Sequence, residues 1–229
     1  MTTLLRSEMI PRAALIAYTL DDEKGREQYH VEARPIGDDG MMGEAIPVTY
    51  DFLMELASNF SSIHSDVARG RLPGNLLYAD TRQGMQKYIW YDPTGHRMMY
   101  FSKGLSIDDA EYNIPGVIYV AEGDKLSVYS YKGRKPTPET ELCLAPFFNV
   151  TGASVCLGSA KIEKPSNPTF DQTLEYWERR FWLTEFSHLG GGMNPTKRNL
   201  VLVTKETRDK DFPLSELKKT DKKLKDLLK

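Results

Sequence analysis

Cysteine and histidine are scarce in this sequence. The chain of 229 residues has two cysteines, Cys143 and Cys156, and four histidines. No Cys-x-x-Cys or His-x-x-x-His spacing occurs, so the ligand pattern of a structural zinc site is missing. Two thiols in a chain of this length are more typical of free cysteines in a reducing compartment than of a disulfide framework. We therefore expect neither a metal centre nor a disulfide.

Long apolar runs and a large net charge are also missing. No run approaches the roughly 20 apolar residues of a membrane-spanning helix, and residues 1–8 lack the basic-then-apolar layout of a signal peptide. The formal net charge is -2, which argues against a general electrostatic binder of nucleic acid. The basic loop at residues 132–135 has no interleaved aromatic residue. We expect a cytoplasmic protein whose partners are neither membranes nor nucleic acids.

The N-terminal residues predict a hairpin followed by a helix. Residues 13–20 form a short apolar run, residues 29–34 alternate in polarity, and a polar turn separates them. Thr49 is a suitable N-cap, and apolar residues at helical spacing follow it to about residue 60.

Four short strands are predicted in the middle of the chain, at residues 87–91, 97–102, 117–121 and 126–131. The turn sequence Asp-Pro-Thr-Gly at residues 92–95 separates the first two, and Glu-Gly-Asp at residues 122–124 separates the last two. A loop ending at Pro115 lies between the pairs. Consecutive strands with short connections predict an antiparallel meander.

The C-terminal part predicts one long helix, a strand and a polar tail. Residues 170–186 place Leu174, Trp177 and Phe181 near one helical face. Residues 199–204 are predicted as a strand, and Ser215 as the cap of a terminal helix in the Lys-rich tail. We expect an α+β protein with an N-terminal extension at residues 1–70 packed on a core at 71–204, then a tail at 205–229.

The most informative stretch is residues 146–158, Pro-Phe-Phe-Asn-Val-Thr-Gly-Ala-Ser-Val-Cys-Leu-Gly. Asn149 lies seven positions before Cys156, and a Thr-Gly turn lies between them. A thiolate can attack an acyl carbon, and a nearby carboxamide can donate a hydrogen bond to the resulting oxyanion. Residue types in this order are suited to acyl transfer to and from sulfur.

The stretch resembles the active-site segment of ubiquitin-conjugating enzymes, in which a His-Pro-Asn motif leads to a Gly-x-Ile-Cys-Leu run. Asn149, Cys156 and Leu157 match, whereas Phe147 and Phe148 replace the motif's His and Pro, and the Asn-to-Cys gap is about one residue shorter. The closer resemblance is to the prokaryotic ubiquitin-conjugating-like proteins called PRTRC system protein B. Those proteins lack the motif's His and carry another His after the cysteine, a position that His188 matches. The resemblance covers roughly residues 76–188.

The resemblance implies a fold and an activity. The fold is a ubiquitin-conjugating-like core of β-meander, cysteine loop and C-terminal helix. Cys156 would receive a ubiquitin-like modifier from an activating enzyme as a thioester and pass it to an acceptor amine. Asn149 would stabilise the oxyanion, and His188 would position or deprotonate the acceptor. No cofactor is implied, because the activating enzyme consumes the ATP. The implied partners are the modifier, an activating-enzyme homologue and a JAB-type protease.

Each candidate residue also has a structural interpretation. Composition alone favours a buried structural cysteine at Cys156, whereas the motif around it favours a reactive thiol. Cys143, between two leucines, is best explained as a strand residue. In the structural interpretation, the side chain of Asn149 fixes the turn, and His188 is a cation that caps the C-terminus of the preceding helix. The Lys-rich tail is a solvated helix or a docking element for an activating enzyme.

Two alternative functions belong to other classes. The missing motif His favours a non-catalytic module that binds a ubiquitin-like partner in a plasmid or mobile-element system. A cysteine hydrolase would need an orienting group for His188, and the sequence offers no evident acid or amide for it.

Overall fold

The computed structural model describes residues 10–21, 27–54, 56, 67–82, 85–158 and 160–228. It is a mixed α+β structure with mostly sheet and few helices, which agrees with the expected fold class. The chain divides into two compact units, Met1–Ser62 and Ile63–Lys229.

The first unit contains the predicted hairpin. Strands β1 (Ala13–Asp21) and β2 (Glu27–Pro35) pair antiparallel, and β3 (Ile46–Pro47) pairs with β2. Residues 50–54 are helical, and the hydroxyl oxygen of Thr49 accepts a hydrogen bond from the main-chain N–H of Phe52 at 3.2 Å. The start of the predicted helix is therefore confirmed, whereas its predicted end at residues 57–60 lies outside the described residues.

The second unit is built from eleven strands among the residues that the structure describes. They are β4 (Leu76–Asp80), β5 (Lys87–Asp92), β6 (Gly95–Phe101), β7 (Ala110–Ile114), β8 (Gly116–Glu122), β9 (Lys125–Tyr131), β10 (Glu141–Leu144), β11 (Val150–Thr151), β12 (Ser154–Val155), β13 (Glu185–Phe186) and β14 (Lys219–Lys223). The main sheet has the order β11-β12-β9-β8-β5-β4, and β10 joins it to β14. Strand β8 is central, and its apolar run Val-Ile-Tyr is buried on both faces.

The predicted meander is wrong at its second strand. Strand β5 pairs with β4 and β8, which occupy both of its edges, so β6 cannot pair with it. Strand β6 instead pairs with β7, which lies in the stretch predicted as a loop and buries Tyr112 and Ile114. The turn at residues 92–95 therefore connects two sheets.

Helix α1 (Phe170–Trp182) packs an aromatic face into the core. Its N-cap is a reciprocal capping box, in which Thr169 and Gln172 each accept a main-chain N–H of the other. The predicted extension of this helix to residue 186 is wrong, because the chain turns at Leu183 and Thr184. The fully buried Phe186 then lies in β13, which pairs parallel to β6.

Two predictions for the C-terminal part are also wrong. Residues 199–204, predicted as a strand, contribute to helix α2 (Leu200–Glu206) instead. The side-chain oxygen of Asn199 accepts the N–H of Val201 at 2.9 Å and caps the helix, and Leu200, Val203 and Thr204 are buried at helical spacing. A short apolar run is compatible with either a strand or a helix, so the N-cap and the packing determine that this segment is helical.

The predicted terminal helix of the Lys-rich tail is wrong, because residues Lys219–Lys223 form a strand. Strand β14 pairs antiparallel with β10, and Ser215 lies in a short 3-10 turn. Lys219 forms an ion pair with Glu141 at 2.6 Å, so opposite charges support the pairing. Helices in the described part of the chain are all too short or too polar to cross a membrane.

Candidate active site

A tight hairpin of β11 and β12 presents Cys156. Its turn contains Gly152 with a φ of 62°, a conformation that favours glycine. Ser154 of β12 pairs with Ser127 of β9, which attaches the hairpin to the main sheet. Val155 and Leu157 are partly buried against the core, whereas Cys156 between them is exposed. The thiol is therefore accessible to a macromolecular partner, as a carrier of a bulky acyl group requires.

Asn149 connects the cysteine hairpin to the loop after α1. It is 4% exposed and has a φ of 59°. Its Nδ2 donates to the carbonyl oxygen of Glu185 at 2.8 Å, and its Oδ1 accepts the main-chain N–H of Ser187 at 2.9 Å. Oδ1 also accepts the N–H of His188 at 3.3 Å. The carboxamide thus holds residues 185–188, which supports the loop-fixing interpretation of Asn149.

The peptide groups of Asn149 bring the candidate residues together. Its main-chain N–H donates to the carbonyl oxygen of His188 at 2.8 Å, and its carbonyl oxygen accepts the N–H of Cys156 at 2.8 Å. The main chains of Cys156 and His188 are therefore both bonded to one residue. Their catalytic roles stay predictions, and what the structure brings together is the main chains of the three residues.

His188 lies on the exposed side of this loop. Its Nδ1 is 2.9 Å from the Oγ of Ser187, and that Oγ is 3.3 Å from the Oδ1 of Asn149. The alternative role of His188 as a cation at the helix C-terminus is wrong, because α1 ends at Trp182 and strand β13 intervenes. Sequence analysis missed Ser187, whose signal was its position directly before the candidate His.

Gly190, the first of the three glycines at residues 190–192, is packed against the cysteine hairpin. A Cβ at the buried Gly190 would overlap the carbonyl oxygen of Val150 and the hydroxyl oxygen of Thr151. Gly158 has a φ of 36°, and a Cβ there would lie 2.7 Å from the Cγ2 of Thr184. The approach at Gly190 fixes the distance between the cysteine hairpin and the turn at residues 190–192, and the approach at Gly158 fixes the distance between the segment after Cys156 and Thr184.

Two phenylalanines fill the space beneath the site. Phe147, at the position of the family motif's His, is 2% exposed and contacts the rings of Phe181 and Trp182. Phe148 is 1% exposed and contacts Phe101 edge-on. Both rings therefore pack beneath the loop. A buried aromatic ring at the motif position offers no proton donor or acceptor to the reaction.

Cys143 has a different environment from Cys156. It lies in β10, is 1% exposed, and packs with Val203, Phe212 and Leu217. Burial raises the pKa of the Cys143 thiol, because desolvation disfavours the thiolate. This supports the structural interpretation of Cys143. Within the described part of the chain, no three His, Cys, Asp or Glu side chains cluster in a way that could hold a metal ion.

A buried polar network joins α1 to the sheets. The indole N–H of Trp90 donates to Glu178 at 2.9 Å, and the hydroxyl of Tyr119 donates to Asp92 at 3.0 Å. Arg97 forms ion pairs with both carboxylates. Burial, with repulsion from Asp92, raises the pKa of Glu178 to about 7. Sequence analysis missed this network, which positions the helix that precedes the site loop.

Comparisons with known proteins identify the family. Comparison with curated proteins and with solved structures gave no match. The family model of prokaryotic E2 family D matches residues 49–220, which is well over half of the chain and includes Asn149, Cys156 and His188. By this match the chain belongs to prokaryotic E2 family D and is related to the ubiquitin-conjugating enzymes.

Proposed function

We propose that this protein is a conjugating enzyme that carries a ubiquitin-like modifier as a thioester on Cys156. One observation carries the proposal: the exposed Cys156 and the exposed His188 are both bonded, through their main chains, to the buried Asn149. Cys156 is the nucleophile that a thioester carrier needs. His188 is a base that a subsequent aminolysis can use. Membership of an E2 family supports the same chemistry.

The charging step is a thioester exchange. The thiolate of Cys156 attacks the carbonyl carbon of the modifier's C-terminal glycine, which is bound to a cysteine of the activating enzyme. A new carbon–sulfur bond forms to Cys156, the old one breaks, and the activating enzyme's thiolate leaves. Because the incoming acyl group is already activated, the step requires access to Cys156 and no metal or organic cofactor.

The discharge step is an aminolysis. A lysine or other amine of the acceptor attacks the same carbonyl carbon and forms a carbon–nitrogen bond. The carbon–sulfur bond breaks, and the sulfur of Cys156 leaves as the thiolate. We propose that His188 takes the proton that the amine loses. The contacts of Asn149 favour a role in holding His188 and Cys156 in register. Its predicted role as oxyanion donor would use the second Nδ2 proton, since Glu185 accepts the first.

We also propose that the chain is of the PRTRC system protein B type and that it acts with protein partners. The absence of the motif's His at Phe147 and the presence of His188 agree with the PRTRC system protein B type. The general partners of an E2-like protein are a ubiquitin-like modifier and an activating enzyme. A JAB-type protease is a third proposed partner.

One observation favours the alternative of a non-catalytic binding module. The motif position at Phe147 is filled by a ring in the aromatic core rather than by a polar group. A module that only binds a modifier would need the fold and no thiol.

A charging assay separates these functions. The full chain is mixed with ATP, an activating-enzyme homologue and a ubiquitin-like modifier from the same genome, and the products are separated without reductant. We expect a reductant-sensitive adduct that Cys156→Ala abolishes and Cys143→Ala retains, with circular dichroism as the control for folding. Absence of the adduct with a charged activating enzyme would favour the binding module. Free modifier released without any acceptor would indicate a hydrolase.

A further inference from the structure

We propose that Ser187 is a positioning residue that holds His188 in one tautomer, with the proton on Nδ1 and the lone pair on Nε2. The effect of this tautomer on catalysis rests on the proposed function. The tautomer itself can be measured in the protein without modifier.

The orientation of the Asn149 carboxamide is set by its hydrogen-bond partners. Nδ2 lies 2.8 Å from the carbonyl oxygen of Glu185, which can only accept. Oδ1 faces the main-chain N–H groups of Ser187 and His188, which can only donate. A flipped amide would place donors against donors and an acceptor against an acceptor. The atom that faces the Ser187 hydroxyl is therefore an acceptor.

The single hydroxyl proton of Ser187 then decides the histidine tautomer. The Oγ lies 3.3 Å from the Oδ1 of Asn149 and 2.9 Å from the Nδ1 of His188. If the hydroxyl donates to Oδ1, its lone pairs accept a proton from Nδ1, and both contacts are hydrogen bonds. If it donates to Nδ1 instead, the two oxygens face each other without a proton. The first arrangement satisfies both contacts and leaves Nε2 unprotonated.

An unprotonated Nε2 is the atom that a general base needs. His188 is exposed, so an acceptor amine can approach the ring from solvent. The tautomer matters because the nitrogen that faces the substrate must carry the lone pair when the amine attacks. Ser187 would thus act through His188 and without touching the acceptor.

The direct test is nitrogen-15 NMR of the histidine rings in the uncharged full chain, at a pH where the imidazoles are neutral. We expect His188 to be mainly protonated on Nδ1 in the wild type. In Ser187→Ala the ratio of Nδ1–H to Nε2–H should fall about fivefold, as the loss of one neutral hydrogen bond predicts. Ser187→Thr, which keeps the hydroxyl, should restore the ratio. His96, which lies in β6 and is exposed, provides an internal reference in the same spectra. A wild-type His188 mainly protonated on Nε2, or an unchanged ratio in Ser187→Ala, would overturn the proposal.

A kinetic test measures the consequence. The charged protein is isolated, and its discharge to free lysine is followed in a single turnover. We expect Ser187→Ala to slow discharge about fivefold, Ser187→Thr to recover it, and Ser187→Ala to add no further loss in a His188→Gln background. An additional loss in that background would mean that Ser187 acts by another route. If the protein cannot be charged at all, the proposed function fails while the NMR result still decides the tautomer.

Discussion

At the scale of single residues, the two thiols differ most in accessibility. Cys156 is exposed next to the hairpin, whereas Cys143 is 1% exposed in a packed strand and its thiol pKa is raised by burial. Reaction with an alkylating agent requires both access and the thiolate form. The same two properties are required of a thioester carrier.

Alkylation should therefore distinguish the two cysteines. We expect iodoacetamide to modify Cys156 at least roughly tenfold faster than Cys143 in the folded protein, because Cys143 reacts only after local opening. Peptide mass spectrometry after a time course provides the two rates. Both cysteines should react at similar rates in denaturant, which is the control. Equal rates in the folded protein would contradict the environments described here.

The sequence proposes the candidate residues of the site but does not predict their contacts. Asn149, Cys156 and His188 are predicted from the motif and its resemblance to a family. The partners of the Asn149 carboxamide lie 36 to 39 positions away, and no local pattern indicates them. Ser187 was missed because its position directly before His188 is a weak local signal, and its contact with Asn149 appears only in the folded structure.

At the scale of elements, the site depends on how closely the Gly190–Gly192 turn approaches the β11–β12 hairpin. Gly190 is buried against Val150 and Thr151, where a side chain has no room. The loop that carries Ser187 and His188 is continuous with this turn. The position of the Ser187–His188 loop relative to Cys156 is therefore fixed by Asn149 and by the packing of Gly190.

Gly190→Ala should destabilise the fold by about 1–3 kcal/mol, because the added methyl group forces the turn away from the hairpin. Gly104→Ala is the matched control, since a Cβ there meets nothing within 4 Å, and its effect should stay within about 0.5 kcal/mol. Urea denaturation of both variants measures the free energies of unfolding. Equal stability of the two variants would contradict the close packing at Gly190.

The network between α1 and the sheets predicts a pH dependence of stability. Burial and Asp92 raise the pKa of Glu178 from 4.5 in the unfolded chain to about 7 in the folded protein. The folded state therefore binds the proton more tightly, and stability falls as the pH rises from about 4.5 to about 7. The shift corresponds to about 3 kcal/mol.

Glu178→Gln should remove this component of the pH dependence while keeping an acceptor for the Trp90 indole. Urea denaturation at several pH values between 4.5 and 8 compares the variant with the wild type. We expect the difference in unfolding free energy between them to change by about 3 kcal/mol across this range. A constant difference would show that Glu178 does not titrate as its environment implies.

The elements that sequence analysis predicted correctly have strong local patterns. Strands β5, β8 and β9 and the start of α1 combine apolar or alternating runs with clear turn or cap residues. The errors concern elements whose state depends on distant partners. Strand β14 is rich in lysine and forms because β10 offers an edge and one acidic partner, Glu141. Strand β6 leaves the meander because β4 already occupies its place beside β5.

At the scale of the whole molecule, the family match and the compact units agree on where the candidate site lies. The match spans residues 49–220, and the second unit, Ile63–Lys229, contains Asn149, Cys156, Ser187 and His188. Most of the buried core described here also belongs to that unit. The proposed conjugating chemistry therefore belongs to the part of the chain that the family shares.

The central claim is that Cys156 carries the modifier as an acyl group. Replacing sulfur by oxygen tests it most directly, because the Cys156→Ser hydroxyl would form an ester that resists thiols. The variant is incubated with ATP, the activating-enzyme homologue and its modifier, and the adduct is measured by intact mass before and after reductant and after mild alkali. We expect an adduct of one modifier that reductant leaves intact and alkali removes, where the wild-type adduct is lost to reductant. An adduct that reductant still removes from Cys156→Ser, or that forms equally on Cys156→Ala, would contradict the assignment of Cys156 as the carrier.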